Sequence, residues 1–142
     1  MRKAVSLIGA LLALTLSSWA SAEYSVGFGA PISSLVRVSF PDSSTRFQPP
    51  SDVVDVLADA KDAAMIYVSG RTSTGKPSAR DEALAFARAA AARAYLIERG
   101  VSPLKIMVNY VSAADYIEDN STVAGRLANQ RVDIELIYVP RY

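Results

Sequence analysis

The sequence predicts an α/β fold with two layers, in which helices pack on one face of a single β-sheet. Three observations support this prediction. Short runs of alternating or continuous apolar residues recur along the chain and end at Gly, Pro, Asn or Ser, as strands do. Segments with helical spacing and capping residues separate these runs. The resulting order is β-α-β-α-β-α-β without internal repeats, which favours one two-layer sandwich.

The N-terminal segment has the three parts of a cleavable secretory signal. Met1–Lys3 is basic, Ala4–Leu16 is apolar, and Ala20–Ala22 is a small-x-small cleavage site. A retained membrane helix is the alternative, but the apolar run is well short of the roughly 20 residues that span a bilayer. We therefore expect residues 1–22 to be removed, leaving an exported chain over 23–142 with no transmembrane segment.

Composition narrows the possible classes of function. The sequence contains no cysteine and no histidine. Without cysteine there are no disulfides, thiolate metal sites or lipoprotein-type lipid attachment, and without histidine the commonest general base and metal ligand are missing. The 15 Lys and Arg residues nearly balance the 14 Asp and Glu residues, so we expect no nucleic-acid partner. The composition predicts one non-enzymatic domain without metal or cofactor.

An extended lead-in precedes the first strand and helix. Residues 23–34 are rich in Gly, Ser and Tyr without a sustained period, so this lead-in either pairs at a sheet edge or stays mobile. Leu35–Phe40 alternates apolar and polar residues and predicts a strand, which Pro41 ends. Pro49–Asp52 opens a helix with Ser51 as its N-cap. The apolar stripe of this helix consists of Val53, Val56, Leu57 and Ala60.

The centre of the chain predicts a buried strand and the longest helix. Ala64–Ser69 is a short apolar run that ends at Gly70, as central strands do. After a polar loop, Ser78 and Asp81 form a capping box for a helix over 79–99, which a glycine closes. The predicted apolar face of this helix consists of Leu84, Ala87, Ala91, Ala94 and Tyr95.

The last part of the chain predicts a strand, a loop, a short helix and a final strand. The first strand is Lys105–Val111, and the polar loop 112–120 is expected to fold over the same end of the sheet as the loop after Gly70. Thr122–Asn129 forms the short helix. Arg131–Tyr138 has the cleanest alternation, which predicts one buried and one solvated face.

Two local motifs resemble those of enzymes, but their residues do not provide the groups or the arrangement that catalysis needs. Gly70–Lys76 has the spacing of a phosphate-binding loop, yet Pro77 offers neither a hydroxyl for magnesium nor an N–H for phosphate. Glu118 and Asp119 would have to serve as the acid and base of a hydrolase, but adjacent residues in a polar loop usually point apart. Neither motif supports an enzyme.

Three separated segments carry a longer pattern. They are Val68–Ser73, the stretch Leu84-x-x-x-Arg88-Ala89, and residues 120–134, which spell N-x-T-x-x-G-R-x-x-N-Q-R-V-D-I. Their order and spacing resemble the OmpA-like peptidoglycan-binding family, and the resemblance covers roughly residues 36–138. It implies an OmpA-like domain over 35–142 whose helices pack on one face of a mixed sheet.

The resemblance also implies a binding site. In this family, an aspartate after G-H-T and an arginine of the L-S-x-x-R-A helix hold the ammonium and carboxylate of the zwitterionic diaminopimelate in the peptidoglycan stem. Arg88 retains the arginine, whereas Ser73 stands at the aspartate position and Arg71 at the histidine position. Gln130 replaces the first arginine of the N-R-R triplet. The negative pole of the family site is therefore missing from its usual position.

Each candidate site residue has a ligand-binding and a structural interpretation. Asp81 lies seven residues before Arg88, on nearly the same helix face, so one hypothesis is that it replaces the missing carboxylate. Alternatively, Asp81 caps the helix, Arg88 packs its stem, and the residues of the last helix–strand junction satisfy loose backbone groups. By resemblance, the candidate peptidoglycan-binding residues are Arg71, Thr72, Ser73, Asp81, Arg88, Asn129 and Arg131.

Two functions follow from these interpretations. The first is a non-catalytic domain in the periplasm of a Gram-negative bacterium, near the wall or outer membrane. It binds peptidoglycan and positions an envelope assembly such as a secretion, conjugation or pilus apparatus. The second is a degenerate module of the same fold that no longer binds the wall and contacts a protein partner through Arg71, Lys76 and Arg80.

Overall fold

The computed structural model describes residues 29–140, which form one four-stranded sheet and its helices. The predicted signal over 1–22 and the lead-in up to residue 28 lie outside the described residues. Short 3₁₀ turns lie at Ala60–Asp62 and Pro103–Lys105. In chain order the elements are β1 Ile32–Ser39, α1 Ser51–Ala58, β2 Met65–Arg71, α2 Ala79–Glu98, β3 Ile106–Val111, α3 Val123–Asn129 and β4 Arg131–Tyr138.

The sheet is mixed, with the strand order β1-β4-β2-β3. The central strand β4 is antiparallel to both β1 and β2, whereas β2 and β3 are parallel. A parallel pair needs a long crossover connection, and α2 provides it here. The α/β fold class and the element order predicted from the sequence are confirmed.

The hydrophobic core lies between one sheet face and the helices α1 and α2. The predicted alternation of β4 is confirmed on this face, where Val132, Ile134 and Leu136 have no exposed surface. On the opposite face, a row of larger apolar side chains crosses the sheet and is exposed. That row consists of Leu35, Tyr67 and Met107. Among the described residues, the helices therefore cover one face of the sheet only.

Two boundaries near the N-terminal end differ from the predicted ones. Strand β1 begins at Ile32, before the predicted Leu35, because residues 32–34 pair with residues 136–138 of β4. Helix α1 begins at Ser51, so this residue is not the N-cap. Pro50 takes that position, and its carbonyl accepts a hydrogen bond from Val54 N at 2.9 Å. Side-chain capping at Ser51 was therefore a wrong prediction.

The buried face of α2 differs from the predicted one. The residues with no exposed surface are Ala85, Arg88, Ala89, Ala92 and Leu96, which is a neighbouring stripe of the helix. The prediction was wrong because the faces of an alanine-rich helix differ little in hydropathy. The packing of α2 on the sheet therefore decides which face is buried. Gly70 lies within β2 at that contact rather than in a turn, and a Cβ there would stand 1.9 Å from the Ala85 carbonyl oxygen.

Candidate functional site

A cleft of about 310 Å³ lies at the end of the sheet where β1 and β2 end and α2 begins. A larger groove of about 510 Å³ lies between α2 and β3, but it is mainly apolar and contains none of the predicted site residues. The smaller cleft is polar and is therefore the candidate site. Its lining residues are Asp42, Ser43, Thr72, Ser73, Thr74, Asp81, Leu84, Arg88 and Gln130.

Arg88 lies at the base of this cleft and has no surface exposed to solvent. Its Nε donates to the Ser44 carbonyl at 2.9 Å and its Nη1 to the Arg71 carbonyl at 3.0 Å. Its Nη2 donates to the Pro41 carbonyl at 3.4 Å and to Gln130 Oε1 at 3.3 Å. Every guanidinium nitrogen therefore has a partner within the chain.

Burial changes the acid–base properties of this guanidinium. Desolvation lowers the pKa of Arg88 to about 10, well below the ordinary value of a guanidinium, and the nearby Asp42 carboxylate opposes this change. The guanidinium carbon also lies 5.3 Å from the centre of the Phe40 ring, in a cation–π arrangement. Arg88 therefore remains charged at neutral pH and places a positive charge beneath the cleft.

The turn from Pro41 to Ser44 forms one wall of the cleft. Ser44 N donates to the Pro41 carbonyl at 3.0 Å, and Ser43 has a φ of +56°, which is unusual for a residue other than glycine. Arg88 binds the carbonyls at both ends of this turn. Asp42 is exposed on the turn, and its Oδ1 accepts a hydrogen bond from Gln130 Nε2 at 2.8 Å.

The loop after β2 forms the opposite wall. The hydroxyls of Thr72 and Thr74 both bond to the Ser112 carbonyl, and they lie 2.7 Å from each other. The Ser73 carbonyl accepts a hydrogen bond from Asn120 Nδ2 at 2.8 Å. Residues 112–120 thus hold this wall in place. The prediction that these two loops lie together at one end of the sheet is confirmed.

Asp81 lines the cleft and also belongs to the cap of α2. Ser78 Oγ accepts a hydrogen bond from Asp81 N at 3.1 Å and lies 2.5 Å from Asp81 Oδ2, to which it donates. The predicted capping role of Ser78 is confirmed. Because Asp81 also borders the cleft with Arg88, its structural and ligand-binding interpretations are compatible.

Asn129, a candidate ligand residue, is fully buried away from the lining of the cleft. Its Oδ1 accepts hydrogen bonds from the backbone N–H groups of Ile117 and Glu118. Its Nδ2 donates to the Glu118 carbonyl and to Asn120 Oδ1. Both ends of the amide are occupied, so the structure places Asn129 in support of the loop.

Arg71 and Arg131 also lie outside the lining of the cleft, because both side chains turn toward Asp115. Arg71 pairs with the Asp115 carboxylate through Nε. Arg131 is almost fully buried, donates to the Asp115 carbonyl at 3.0 Å and pairs with Asp133 Oδ1 at 2.9 Å. Of the seven candidates, the cleft therefore brings together Thr72, Ser73, Asp81 and Arg88.

Asp42 is the charged lining residue that the sequence interpretation missed. The sequence shows it only as part of Pro41-Asp42-Ser43-Ser44, a break at the end of a strand. The available signal was its position, because a polar turn at the end of β1 lies at the same sheet edge as the loop after β2.

Comparison with protein families shows to which family the chain belongs. Residues 40–130 match the model described as the OmpA family. The chain belongs to the OmpA family. The family predicted from the three sequence segments is thereby confirmed. Among the described residues of this OmpA-family chain, no helix is sufficiently long and apolar to cross a membrane.

A curated relative of this OmpA-family chain is a putative outer membrane lipoprotein of the type IV secretion system of Brucella suis. The two are 34% identical over 109 residues, which cover 75% of this chain and 63% of the relative. This chain thus matches less than two thirds of that relative's length.

Solved OmpA-like structures share the fold. The peptidoglycan-associated lipoprotein of Burkholderia pseudomallei superposes with a TM-score of 0.61 at 20% identity, covering 71% of this chain and 88% of that one. The cell wall anchor of the type VI secretion system of Pseudomonas aeruginosa superposes with a TM-score of 0.59 at 21% identity, covering 75% and 82%. At these identities the comparison establishes the fold alone.

Proposed function

We propose that this OmpA-family domain binds the diaminopimelate-containing stem of peptidoglycan non-covalently in the periplasm of a Gram-negative bacterium. One observation carries the proposal. Ser73 comes from the loop after β2, and Asp81 and Arg88 come from α2; they correspond to or stand beside the family's ligand positions, and all three border one polar cleft. The domain performs no catalysis. Binding places it on the wall.

The charges around the cleft suit a ligand that carries an ammonium group. Asp42 and Asp81 supply carboxylates at the rim, and Arg88 supplies a buried positive charge at the base. The hydroxyls of Ser43 and Ser73 offer further hydrogen-bonding groups in the lining. Carboxylates at an exposed rim are acceptors for charge-assisted hydrogen bonds from an ammonium group.

The assembly that this domain positions is proposed to be a secretion apparatus. The support comes from the curated relative of Brucella suis, a putative outer membrane lipoprotein of a type IV secretion system. In this role the domain holds the apparatus at the wall, and attachment to the apparatus occurs through a surface other than the cleft.

Sedimentation with purified peptidoglycan sacculi tests the proposal. We expect the wild-type protein to sediment with sacculi and Asp81→Asn to sediment less. The amide keeps an oxygen that accepts the hydrogen bond from Ser78 in the helix cap, but it removes the charge. Asp55→Asn is the matched control, since Asp55 is an exposed carboxylate on α1 outside the cleft. Absence of the wild-type protein from the pellet would overturn the proposal.

The alternative of a protein-binding face made by Arg71, Lys76 and Arg80 has less support. Lys76 and Arg80 are exposed, but the side chain of Arg71 is only 12% exposed and pairs with Asp115. The three charges therefore do not form one free basic surface.

A further inference from the structure

We propose that the cleft recognises its ligand through the ligand's ammonium group, with Asp42 as the specificity-determining carboxylate. A carboxylate on the same ligand centre then adds nothing to the affinity. The ligand class is a primary ammonium centre, which includes diaminopimelate with an amidated carboxylate and lysine at the same stem position. This inference rests on the proposed function, because it specifies the ligand chemistry of the same cleft.

Three charged residues line the cleft, namely Asp42, Asp81 and Arg88. The two aspartates have solvent-exposed surface, whereas Arg88 has none. The charge that the cleft presents at its surface is therefore negative, and the positive charge acts only from beneath.

Arg88 is the lining residue that would receive a ligand carboxylate. A strong arginine–carboxylate contact uses two parallel N–H donors from one fork. In this protein Nε, Nη1 and Nη2 of Arg88 already donate to the carbonyls of Pro41, Ser44 and Arg71 and to Gln130 Oε1. The guanidinium of Arg88 therefore donates to the protein's own carbonyl groups instead of to a ligand carboxylate.

Gln130 fixes the orientation of Asp42. Gln130 is 6% exposed, accepts from Arg88 Nη2 through Oε1 and donates to Asp42 Oδ1 through Nε2. This amide links the buried guanidinium to the exposed carboxylate. Within residues 29–140, Asp42 Oδ2 accepts no hydrogen bond from the chain. One oxygen of Asp42 is therefore fixed, and the other is available to an ammonium group.

These charges favour a ligand without a free carboxylate, whereas an accessible arginine fork favours a ligand with one. A ligand carboxylate in this cleft meets two aspartates and gains no bidentate contact, so amidation of that carboxylate removes repulsion and loses little. The ligand ammonium, by contrast, donates charge-assisted hydrogen bonds to Asp42.

Calorimetric titration of the purified protein tests this inference. The probes are three soluble stem tripeptides that differ only in the third residue, which is meso-diaminopimelate, its amidated form or lysine. We expect the amidated and lysine peptides to bind at least as tightly as the free-acid peptide. Tighter binding of the free-acid peptide overturns the inference but leaves the proposed function intact. If neither the peptides nor sacculi bind, the proposed function itself fails.

The variant Asp42→Asn tests the named residue with the same peptides. We expect about tenfold weaker binding of all three, the effect of one lost charge-assisted contact, while Asp55→Asn leaves the affinities unchanged. The thermal midpoint of Asp42→Asn is measured in parallel, and the amide retains an acceptor for Gln130. Wild-type affinity in a folded Asp42→Asn protein overturns the role of Asp42.

Discussion

Arg88 has the structural role that was one of its two interpretations from the sequence. It stands at the family's ligand-binding position, yet its guanidinium donates to carbonyls from the turn after β1 and from the end of β2. It therefore joins α2 to both walls of the cleft. A fully buried charge with these partners is costly to remove, because the carbonyls lose their donors together.

Replacement of Arg88 is expected to reduce the stability of the domain. Arg88→Ala should lower the free energy of unfolding by about 3–5 kcal/mol, because it leaves buried carbonyls without partners and opens a cavity. Urea denaturation followed by circular dichroism measures the change. Arg80→Ala is the control on the exposed side of the same helix and should change stability by less than about 0.5 kcal/mol. A loss below about 1 kcal/mol for Arg88→Ala would contradict the structural role.

Ser73 offers a gain-of-function experiment at the family's missing aspartate position. Ser73→Asp adds a carboxylate to the wall opposite Asp42 and should tighten binding of ammonium-bearing stem peptides by about threefold to tenfold. Ser73→Asn has a similar size without the charge and should leave the affinity near that of the wild type. Calorimetric titration of both variants makes the comparison. Equal gains in the two variants would show that charge is not the cause.

At the scale of elements, the position of α2 on the sheet decides the geometry of the cleft. Its N-cap Ser78 is visible in the sequence, since the capping pattern is local. Its buried face is not, because the alanines leave the rotation of the helix to its contact with β2. Gly70 makes that contact possible by allowing the Ala85 carbonyl to approach the strand.

Addition of one methyl group at Gly70 should disturb this contact. A Cβ at position 70 would stand 1.9 Å from the Ala85 carbonyl oxygen, so Gly70→Ala must push α2 away from β2. We expect a loss of about 3 kcal/mol in the free energy of unfolding. Gly75→Ala is the control, because its new Cβ would meet only Tyr116 Oη at 3.4 Å. Equal stabilities of the two variants would contradict the close-approach explanation.

At the scale of the whole molecule, stability rests on the contact between the two layers. The sequence has no cysteine, so no disulfide contributes. The core draws apolar side chains from α1, from α2 and from all four strands. Among the described residues, the opposite sheet face carries exposed apolar side chains and contributes less buried area.

One substitution on each face of the sheet tests whether the buried face contributes more to stability than the open face. Ile134→Ala should cost about 2–5 kcal/mol, because Ile134 is fully buried between the layers. Tyr67→Thr, on the open face, should cost less than about 1 kcal/mol, since Tyr67 is 42% exposed and threonine keeps a high strand preference. Denaturant midpoints measure both changes. A large loss for Tyr67→Thr would indicate that this face is also covered.

The sequence by itself determined the order of elements, the alternation of β4 and the capping of α2. These depend on periodicity and on side chains within a few residues of each other. It also carried the family pattern, through Arg88 and the segments around it.

Only the tertiary structure decided which candidates share the cleft. It moved Asn129 and Arg131 into the support of a loop and brought Asp42 beside Gln130. The physical reason is that side-chain hydrogen bonds between distant segments depend on how strands pair and how a helix rotates on the sheet. The local spacing of residues along the chain specifies neither the strand pairing nor the rotation of the helix.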